Sequence, residues 1–371
     1  MKDPFPIPPI EALSKAVQPW ADRYNLPVLP LHVHEVLGAA LFYTFIHLVV
    51  SPLVSNAFFP QYYPRARGKK ANWDAHVVSL VQSTLINGLA LWVMWADDER
   101  RQMDWQERVW AYDGASAFIQ ALAAGYFVWD LIVTLLYIDI FGMGLLAHAV
   151  SALAVYTFGF RPYLNYYSTV FILYELSTPF LNIHWFFDKL NMTGSRAQLY
   201  NGIALLFTFA SCRLVWGSYQ SWVVYKDMWQ AVNNAPDAGY VSAALSLAAN
   251  STTTTVTTLA DKINEFPMMF VREATPIPAW LAGVYVVSNL TLNALNWHWF
   301  VKMIAAVRKR FETPPVAKEE DGGAKTAIGP DGKPTAVVSG RDGKVAIKHR
   351  RQHSIEDVIP DSEELRDGTI Q

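Results

Sequence analysis

The residues best suited to chemistry lie in one apolar stretch, 173–187, which reads LYELSTPFLNIHWFF. In a helix, Glu175, Thr178 and Asn182 are spaced i, i+3 and i+7 and therefore share one face. Pro179 lies inside the same run and is expected to kink it. An ionisable group in a segment apolar enough to lie in a bilayer indicates a functional site, because burying it there is costly. We therefore expect Glu175 and Asn182 to line a cavity first and to act catalytically second.

Polar stripes with helical spacing also occur on the other apolar segments. They contain His76, Ser79, Ser83 and Asn87; Tyr126, Asp130, Thr134 and Tyr137; His148 and Ser151; Arg213, Gly217 and Gln220; and Asn289, Asn293 and Asn296. Serine, threonine and asparagine in such stripes commonly form hydrogen bonds between helices. A charged side chain costs about 2.5–3.5 kcal/mol at the bilayer centre, so Asp130, Glu175 and Arg213 each require a partner or a wet cavity.

Two interpretations of these charges are open. Arg213 can pair with one of the acids, or the charges can surround a water-containing chamber for a polar headgroup, with an acyl chain in its apolar part. The candidate lining residues are His76, Ser83, Asn87, Asp130, Thr178, Asn182, Arg213, Asn289 and Asn293, with His148 and Glu175 as candidate catalytic groups. A neutral imidazole near a carboxylate can act as a base or as an acyl acceptor.

Metal and cofactor chemistry receive no support from the sequence. Cys212 is the one cysteine, so neither an intrachain disulfide nor a cysteine-based metal site can form. No pair of histidines four residues apart lies near the acids, and no GxSxG elbow, phosphate-binding loop or dinucleotide fingerprint is present. We predict no metal and no cofactor. A formal net charge of −2 also gives no reason to expect a nucleic-acid partner.

The elements that must hold these residues are membrane-spanning helices. The chain is 52% hydrophobic and 17% charged, which is typical of a polytopic membrane protein. Its seven apolar segments are 32–54, 76–95, 115–138, 142–160, 163–187, 200–224 and 278–301. Most reach the roughly 20 residues that a bilayer span needs. We predict an all-α membrane helix bundle of about seven transmembrane helices around a polar interior cavity.

Basic residues predict the orientation. Arg65, Arg67, Lys69 and Lys70 follow the first span, and Lys302, Arg308, Lys309 and Arg310 end the seventh, so both regions are expected in the cytosol. Residues 1–31 and the loop 225–277 are then lumenal, and Asn250, in Asn-Ser-Thr, is an expected glycosylation site. Residues 313–371 are rich in Pro, Gly, Asp and Lys, and we expect a disordered cytosolic tail.

Several motifs carry a resemblance to a known family. They are HVVS (76–79), GYFVWDL (125–131), LLAHAVS (145–151), YELSTPFLNIHWFF (174–187), NGIALLFTFASCRL (201–214) and NALNWHWFVKMI (293–304). In order and spacing, the chain resembles the TLC-domain family, which includes ceramide synthases and translocation-associated membrane proteins. It is most similar to TLC domain-containing proteins of the transmembrane-protein-56 type. The resemblance covers about residues 70–310 and six of the predicted helices. It does not cover the loop 225–277, the tail or the first predicted helix, 32–54.

The resemblance implies a multi-pass endoplasmic-reticulum protein whose partners are membrane lipids, either fatty acyl or phospholipid and sphingolipid. In ceramide synthases, a pair of histidines and two acidic residues support N-acyl transfer from acyl-CoA. Here Ala147 and His148 occupy the histidine positions, and Glu175 and Thr178 the acidic ones. These departures argue against ceramide synthesis and fit the non-synthase branch, whose members are linked with membrane phospholipid composition.

Three functions are compatible with the sequence. The leading hypothesis is a protein of lipid homeostasis that binds, senses or regulates membrane lipids. The alternative is an acyltransferase that uses acyl-CoA with His148 and Glu175. The second alternative is a cargo or interaction protein of the endoplasmic reticulum that uses the tail and the lumenal loop.

Overall fold

A computed structural model describes residues 3, 5, 7–249, 266–271, 275–311, 326–328 and 334–336. Its helices are α1 (Glu11–Tyr24), α2 (Leu29–Phe58), α3 (Arg67–Ala96), α4 (Asp98–Gln102), α5 (Trp105–Trp110), α6 (Gly114–Leu136), α7 (Ile138–Phe158), α8 (166–189), α9 (Arg196–Asn233), α10 (Ala238–Ala249) and α11 (Ala279–Phe311). Two three-residue strands, β1 (Thr326–Ile328) and β2 (Pro334–Ala336), pair antiparallel. Apart from this short ribbon, the described residues form the predicted helical bundle.

Five stretches are long and apolar enough to cross a membrane by length and composition. They are α2, α3, the stretch Trp105–Leu136 that contains α5 and α6, α7 and α9. The remaining two predicted spans are also helical and correspond to α8 and to α11, which has 33 residues. The chain is therefore an integral membrane protein.

Helix α8 changes its winding in the middle. It consists of Tyr166–Phe171, the 3₁₀ turns Ile172–Ser177, and the α-helix Thr178–Lys189. Pro179 lies in the first turn of the last part, where its missing N–H costs no hydrogen bond. The winding thus changes just before Pro179, where a kink is predicted, and Glu175 lies within the 3₁₀ turns.

Helix α9 is irregular where it meets the 3₁₀ turns of α8. Residues Ala210–Trp216, which include Arg213, form a π-helical stretch. π-Bulges inside α-helices redirect side chains and occur frequently at functional sites. The two irregular stretches contact each other, so the sequence positions of Glu175 and Arg213 become neighbours in space.

Helix α6 occupies the centre of the bundle and contacts α2, α3 and α7. Its alanines at 115, 117, 121, 123 and 124 are almost fully buried, and Gly125 lies directly against the backbone of α2. Small side chains let membrane helices approach closely, because the gain comes from packing contacts rather than from exclusion of water. The centre of α6 therefore holds α2 beside the rest of the bundle.

The two ends of the bundle differ in charge and in contacts. At the end that we call the basic end, α3 begins at Arg67, near Ile140 at the start of α7. At the opposite end, Arg108 binds both carboxylate oxygens of Asp227 at 2.7 and 3.0 Å, and Tyr167 donates to the same carboxylate.

The predicted loop 225–277 is partly helical. Helix α9 continues to Asn233 because Asp227 in its last turns is anchored by Arg108, and α10 follows within the same stretch. Asn250 lies outside the described residues, as does most of the tail 313–371, and their predicted glycosylation and disorder stay predictions. A glycosidase-sensitive mobility shift that is lost in Asn250→Gln is the expected result, and a shift that persists would contradict the predicted topology.

Candidate functional site

A cavity of about 260 Å³ lies between α3, α6, α7, α8, α9 and α11. It extends to the basic end, where Asn72 of α3 and residues 140–145 of α7 line it. Gly142 there has φ 72°, a backbone conformation that glycine adopts without strain, and it forms a kink inside α7. The cavity thus occupies the half of the bundle nearer the basic end.

Seven of the eleven residues predicted as lining or catalytic candidates line this cavity. They are His76, Asp130, His148, Glu175, Thr178, Asn182 and Arg213. They come from five helices, so the structure brings together side chains that are far apart in the chain. Their roles in binding or catalysis stay predictions, but their shared location is a feature of the fold.

Four other candidates lie outside the lining. Ser83 and Asn87 donate to carbonyl groups one turn earlier in α3, at 2.6 Å each. Asn289 accepts from Tyr225, and Asn293 donates to Ser221, so these two asparagines join α11 to α9. The polar stripes run along most of each helix, whereas the cavity occupies only the half of the bundle near the basic end. Residues in the other half of a stripe therefore lie outside the cavity.

Arg213 is the best-connected group in the cavity. Its guanidinium donates to Ser177 at 3.1 Å, to Thr178 at 2.9 Å and to Asn296 at 3.0 Å. It also lies 3.7 Å from the Glu175 carboxylate, and both side chains are less than one-tenth exposed. The predicted pairing of Arg213 with one of the acids is therefore present and forms part of the cavity wall, whereas the chamber for a headgroup and an acyl chain stays a prediction.

A second polar group connects α3 with the last part of α8. His76 Nδ1 lies 2.7 Å from Asn182 Oδ1, so the ring donates this hydrogen bond, and Asn182 in turn donates to Ser79 at 3.0 Å. Trp185 stacks on His76, with ring centroids 4.0 Å apart and planes at 18°. These contacts fix the orientation of Asn182 in the cavity wall.

His148 and Asp130 have quite different surroundings from Arg213. The His148 ring lies against Phe127 and Trp299, with centroids 6.1 and 5.9 Å away. Asp130 forms no hydrogen bond and no ion pair within the part of the chain that the structure describes. Leu145, Leu181, Phe209 and Met303 form an apolar part of the lining. The cavity is therefore amphiphilic.

Sequence reasoning missed several lining or supporting residues. Trp185, Trp299, Phe209 and Met303 line the cavity, and Ser177 accepts a hydrogen bond from Arg213. Ser177 and Trp185 belong to the same stretch as Glu175, 173–187, and this closeness in the sequence could have predicted their position at the cavity. Phe209 and Met303 resemble any lipid-facing residue in the sequence, and only their packing distinguishes them.

The described residues contain no group of three or more His, Cys, Asp or Glu side chains that could hold a metal ion. Arg213 and Glu175 pair with each other, His76 bonds to Asn182, and His148 lies against aromatic rings, whereas Asp130 has no hydrogen bond or ion pair among the described residues. The arrangement is suited to holding an amphiphilic molecule by its polar part.

Comparison with known proteins gives the same family as the motifs. The sequence profile of the TLC domain matches residues 72–305. A TLC domain-containing protein of Schizosaccharomyces pombe is 37% identical over 299 residues, which are 81% of this chain and 87% of the relative. Topoisomerase I damage affected protein 4 of Saccharomyces cerevisiae is 25% identical over 294 residues, 77% of this chain and 88% of its own.

A vertebrate relative matches a shorter part of the chain. TLC domain-containing protein 4-B of Danio rerio is 29% identical over 189 residues, which are 49% of this chain and 69% of the relative.

The region that matches the TLC-domain profile, residues 72–305, contains α6, α7, α8 and α9 completely and nearly all of α3, and therefore encloses the cavity. On the evidence of this match and of the 37% identical relative, the chain belongs to the TLC-domain family of integral membrane proteins.

Proposed function

We propose that this protein binds a membrane lipid in the cavity and thereby senses or regulates the lipid content of its membrane, which we take to be the endoplasmic reticulum. The observation that carries the proposal is the amphiphilic lining, which contains the charged residues Arg213, Glu175 and Asp130 and the apolar residues Leu181, Phe209 and Met303. A lipid likewise combines a polar headgroup with an apolar chain.

Stability alone does not account for the charges in this cavity. Replacing a buried ion pair by packed apolar residues is often neutral or stabilising, so a pair such as Arg213 and Glu175 is weak evidence of a stabilising role. Asp130 has no partner among the described residues and adds a further cost. Intramembrane ionisable residues of this kind favour recognition of a ligand.

The size of the cavity limits how much of a lipid it can hold. Its volume of about 260 Å³ lies below the roughly 300–1,000 Å³ of pockets that enclose drug-sized ligands. The cavity can hold a headgroup and the start of one chain, whereas the rest of a lipid must lie along the outer faces of the helices. These faces are apolar, with Phe207, Val215 and Trp222 of α9 largely exposed.

Lipid retention tests this proposal. Asn182→Ala removes the hydrogen bonds to His76 and Ser79 from the cavity wall. We expect the purified variant to retain about 5–10-fold less lipid than the wild type, which corresponds to about 1–1.4 kcal/mol of lost interaction. The measurement is quantitative mass spectrometry of the lipids that copurify with the protein in detergent.

The matched control is Asn293→Ala. This asparagine also makes hydrogen bonds between helices, to Tyr174 and Ser221, but it does not line the cavity. Its lipid content should equal that of the wild type. Equal loss in both variants would assign the effect to general weakening of the bundle, and copurification of no lipid with the wild type would contradict the proposal.

Acyl transfer is the second candidate function, because His148 and Glu175 line the same cavity. The geometry favours it less, since the pair that Glu175 forms is with Arg213 and the described neighbours of His148 are aromatic rings. Incubation with labelled acyl-CoA and a panel of lysolipid and amine acceptors distinguishes the two functions. Transfer that is lost in His148→Ala would establish the enzyme, and bound lipid without transfer would exclude it.

A further inference from the structure

The charges on the cavity wall are not balanced. Its lining contains two carboxylates, Asp130 and Glu175, and one guanidinium, that of Arg213. Arg213 is used within the protein, because it pairs with Glu175 and donates to Ser177, Thr178 and Asn296. Asp130 is left as the carboxylate without a partner in the described part of the chain.

Asp130 is placed where a ligand can reach it. It lies in the last third of α6, and Tyr126 and Thr134, one turn to either side, line the cavity with it. Unlike Asp74 on α3, which accepts hydrogen bonds from Ser51 and Tyr63, Asp130 receives no donor from the described residues. A carboxylate at membrane depth is stabilised by an opposite charge more than by any other neighbour.

The surrounding rings are also suited to a cation. Tyr126, Trp129, Trp185 and Trp299 line the cavity together with Asp130. Aromatic faces attract ammonium groups, including quaternary ones, and the attraction is greatest when the site excludes water. An anionic headgroup would face two carboxylates, and the guanidinium that could compensate for them is already bonded.

The basic end of the bundle, to which the cavity extends and which we call its mouth, has the opposite charge, although its basic side chains are not part of the lining. Arg67, Lys69 and Lys70 lie in the first turns of α3 at the basic end, directly before Asn72, which lines the cavity. The N-terminus of a helix also favours an anionic group such as phosphate. From the mouth inward, the protein therefore offers positive and then negative charge, which is the order complementary to phosphate followed by ammonium in a zwitterionic headgroup.

We infer that the lipid held in this cavity carries an ammonium headgroup, which pairs with Asp130 while its phosphate faces the basic mouth. This inference rests on the proposed lipid-binding function and specifies the ligand class. Phosphatidylcholine and phosphatidylethanolamine share this chemistry. The first would be recognised mainly by aromatic faces, and the second also by hydrogen bonds from its primary ammonium to Asp130.

The experiment reconstitutes the full chain in vesicles with equal amounts of phosphatidylcholine, phosphatidylethanolamine and phosphatidylglycerol. After extraction in mild detergent, native mass spectrometry counts the lipids that stay bound. We expect the wild type to retain one of the two ammonium lipids about tenfold over phosphatidylglycerol, since a buried charged contact is worth at least that factor. Which of the two it retains identifies the source of the ammonium.

Three variants make the result specific. Asp130→Asn keeps the shape of the side chain and should abolish the preference, whereas Asp130→Glu keeps the charge and should retain it in part. Asp139→Asn makes the same change of charge at an exposed position outside the lining, and should leave the preference unchanged.

The failures of the two proposals can be told apart. Retention of phosphatidylglycerol equal to that of the ammonium lipids, or a preference that Asp130→Asn does not alter, would overturn this inference and leave lipid binding intact. Absence of any retained lipid in the wild type would overturn both.

Discussion

Replacing Arg213 by methionine is expected to lower the free energy of unfolding by about 3–5 kcal/mol, which is the usual cost of removing one partner from a buried ion pair. The substitution leaves the Glu175 carboxylate without its cation. It also removes the hydrogen bonds that Arg213 donates to Ser177, Thr178 and Asn296. Methionine has a similar length, so that the loss of charge rather than of volume dominates. The measurement is the unfolding midpoint of the purified protein in a fixed detergent, followed by tryptophan fluorescence.

A double substitution separates the charge effect from a packing effect. Glu175→Gln removes the uncompensated carboxylate, so the pair of changes Arg213→Met and Glu175→Gln should be less destabilising than Arg213→Met alone. Residues in one network couple in this way, by about 0.5–3 kcal/mol. Strictly additive losses would show that the 3.7 Å approach of Arg213 to Glu175 contributes nothing to stability.

The second large effect is expected where α6 meets α2. A Cβ atom added at Gly125 would lie 2.6 Å from the Cβ atom of Ala39 and 3.0 Å from the backbone nitrogen of Ala40, and it would also meet the carbonyl oxygen of Val36. Backbone atoms cannot move aside individually, so Gly125→Ala must separate the two helices. We expect a loss of about 1–3 kcal/mol in the free energy of unfolding, as for other overpacked cores.

Gly88 on α3 provides the matched control. No atom lies within 4 Å of a Cβ added there, and Gly88→Ala should stabilise the helix by up to about 1 kcal/mol through its higher helix propensity. The same glycine-to-alanine change is thus expected to lower the free energy of unfolding at position 125 and to raise it at position 88. Unfolding midpoints measured under identical conditions check this, and a stabilising Gly125→Ala would show that α2 is not closely packed on α6.

Much of the architecture could be predicted from local sequence. Long apolar runs predicted the helices, because a bilayer span requires about 20 apolar residues with an internally bonded backbone. Helical spacing predicted that Glu175, Thr178 and Asn182 share a face, and all three line the cavity. The family motifs around them occur within the domain that the profile matches, 72–305.

Helical periodicity alone could not predict where the cavity ends. Ser83 and Asn87 belong to the same stripe as His76, yet only His76 lies in the lining. A stripe reports which face of a helix is buried, but not how far neighbouring helices stand apart at each level. That distance depends on crossing angles and on side chains from other helices.

The sequence by itself therefore determined the helical membrane architecture and the faces that turn inward, because hydropathy and helical spacing are local properties of the chain. Tertiary structure alone decided which charges are satisfied. The 3₁₀ turns of α8 and the π stretch of α9 bring Glu175 and Arg213 together, 38 positions apart in the chain, and leave Asp130 without a partner among the described residues. Pairing of charges depends on distances between helices, and these exist only in the folded bundle.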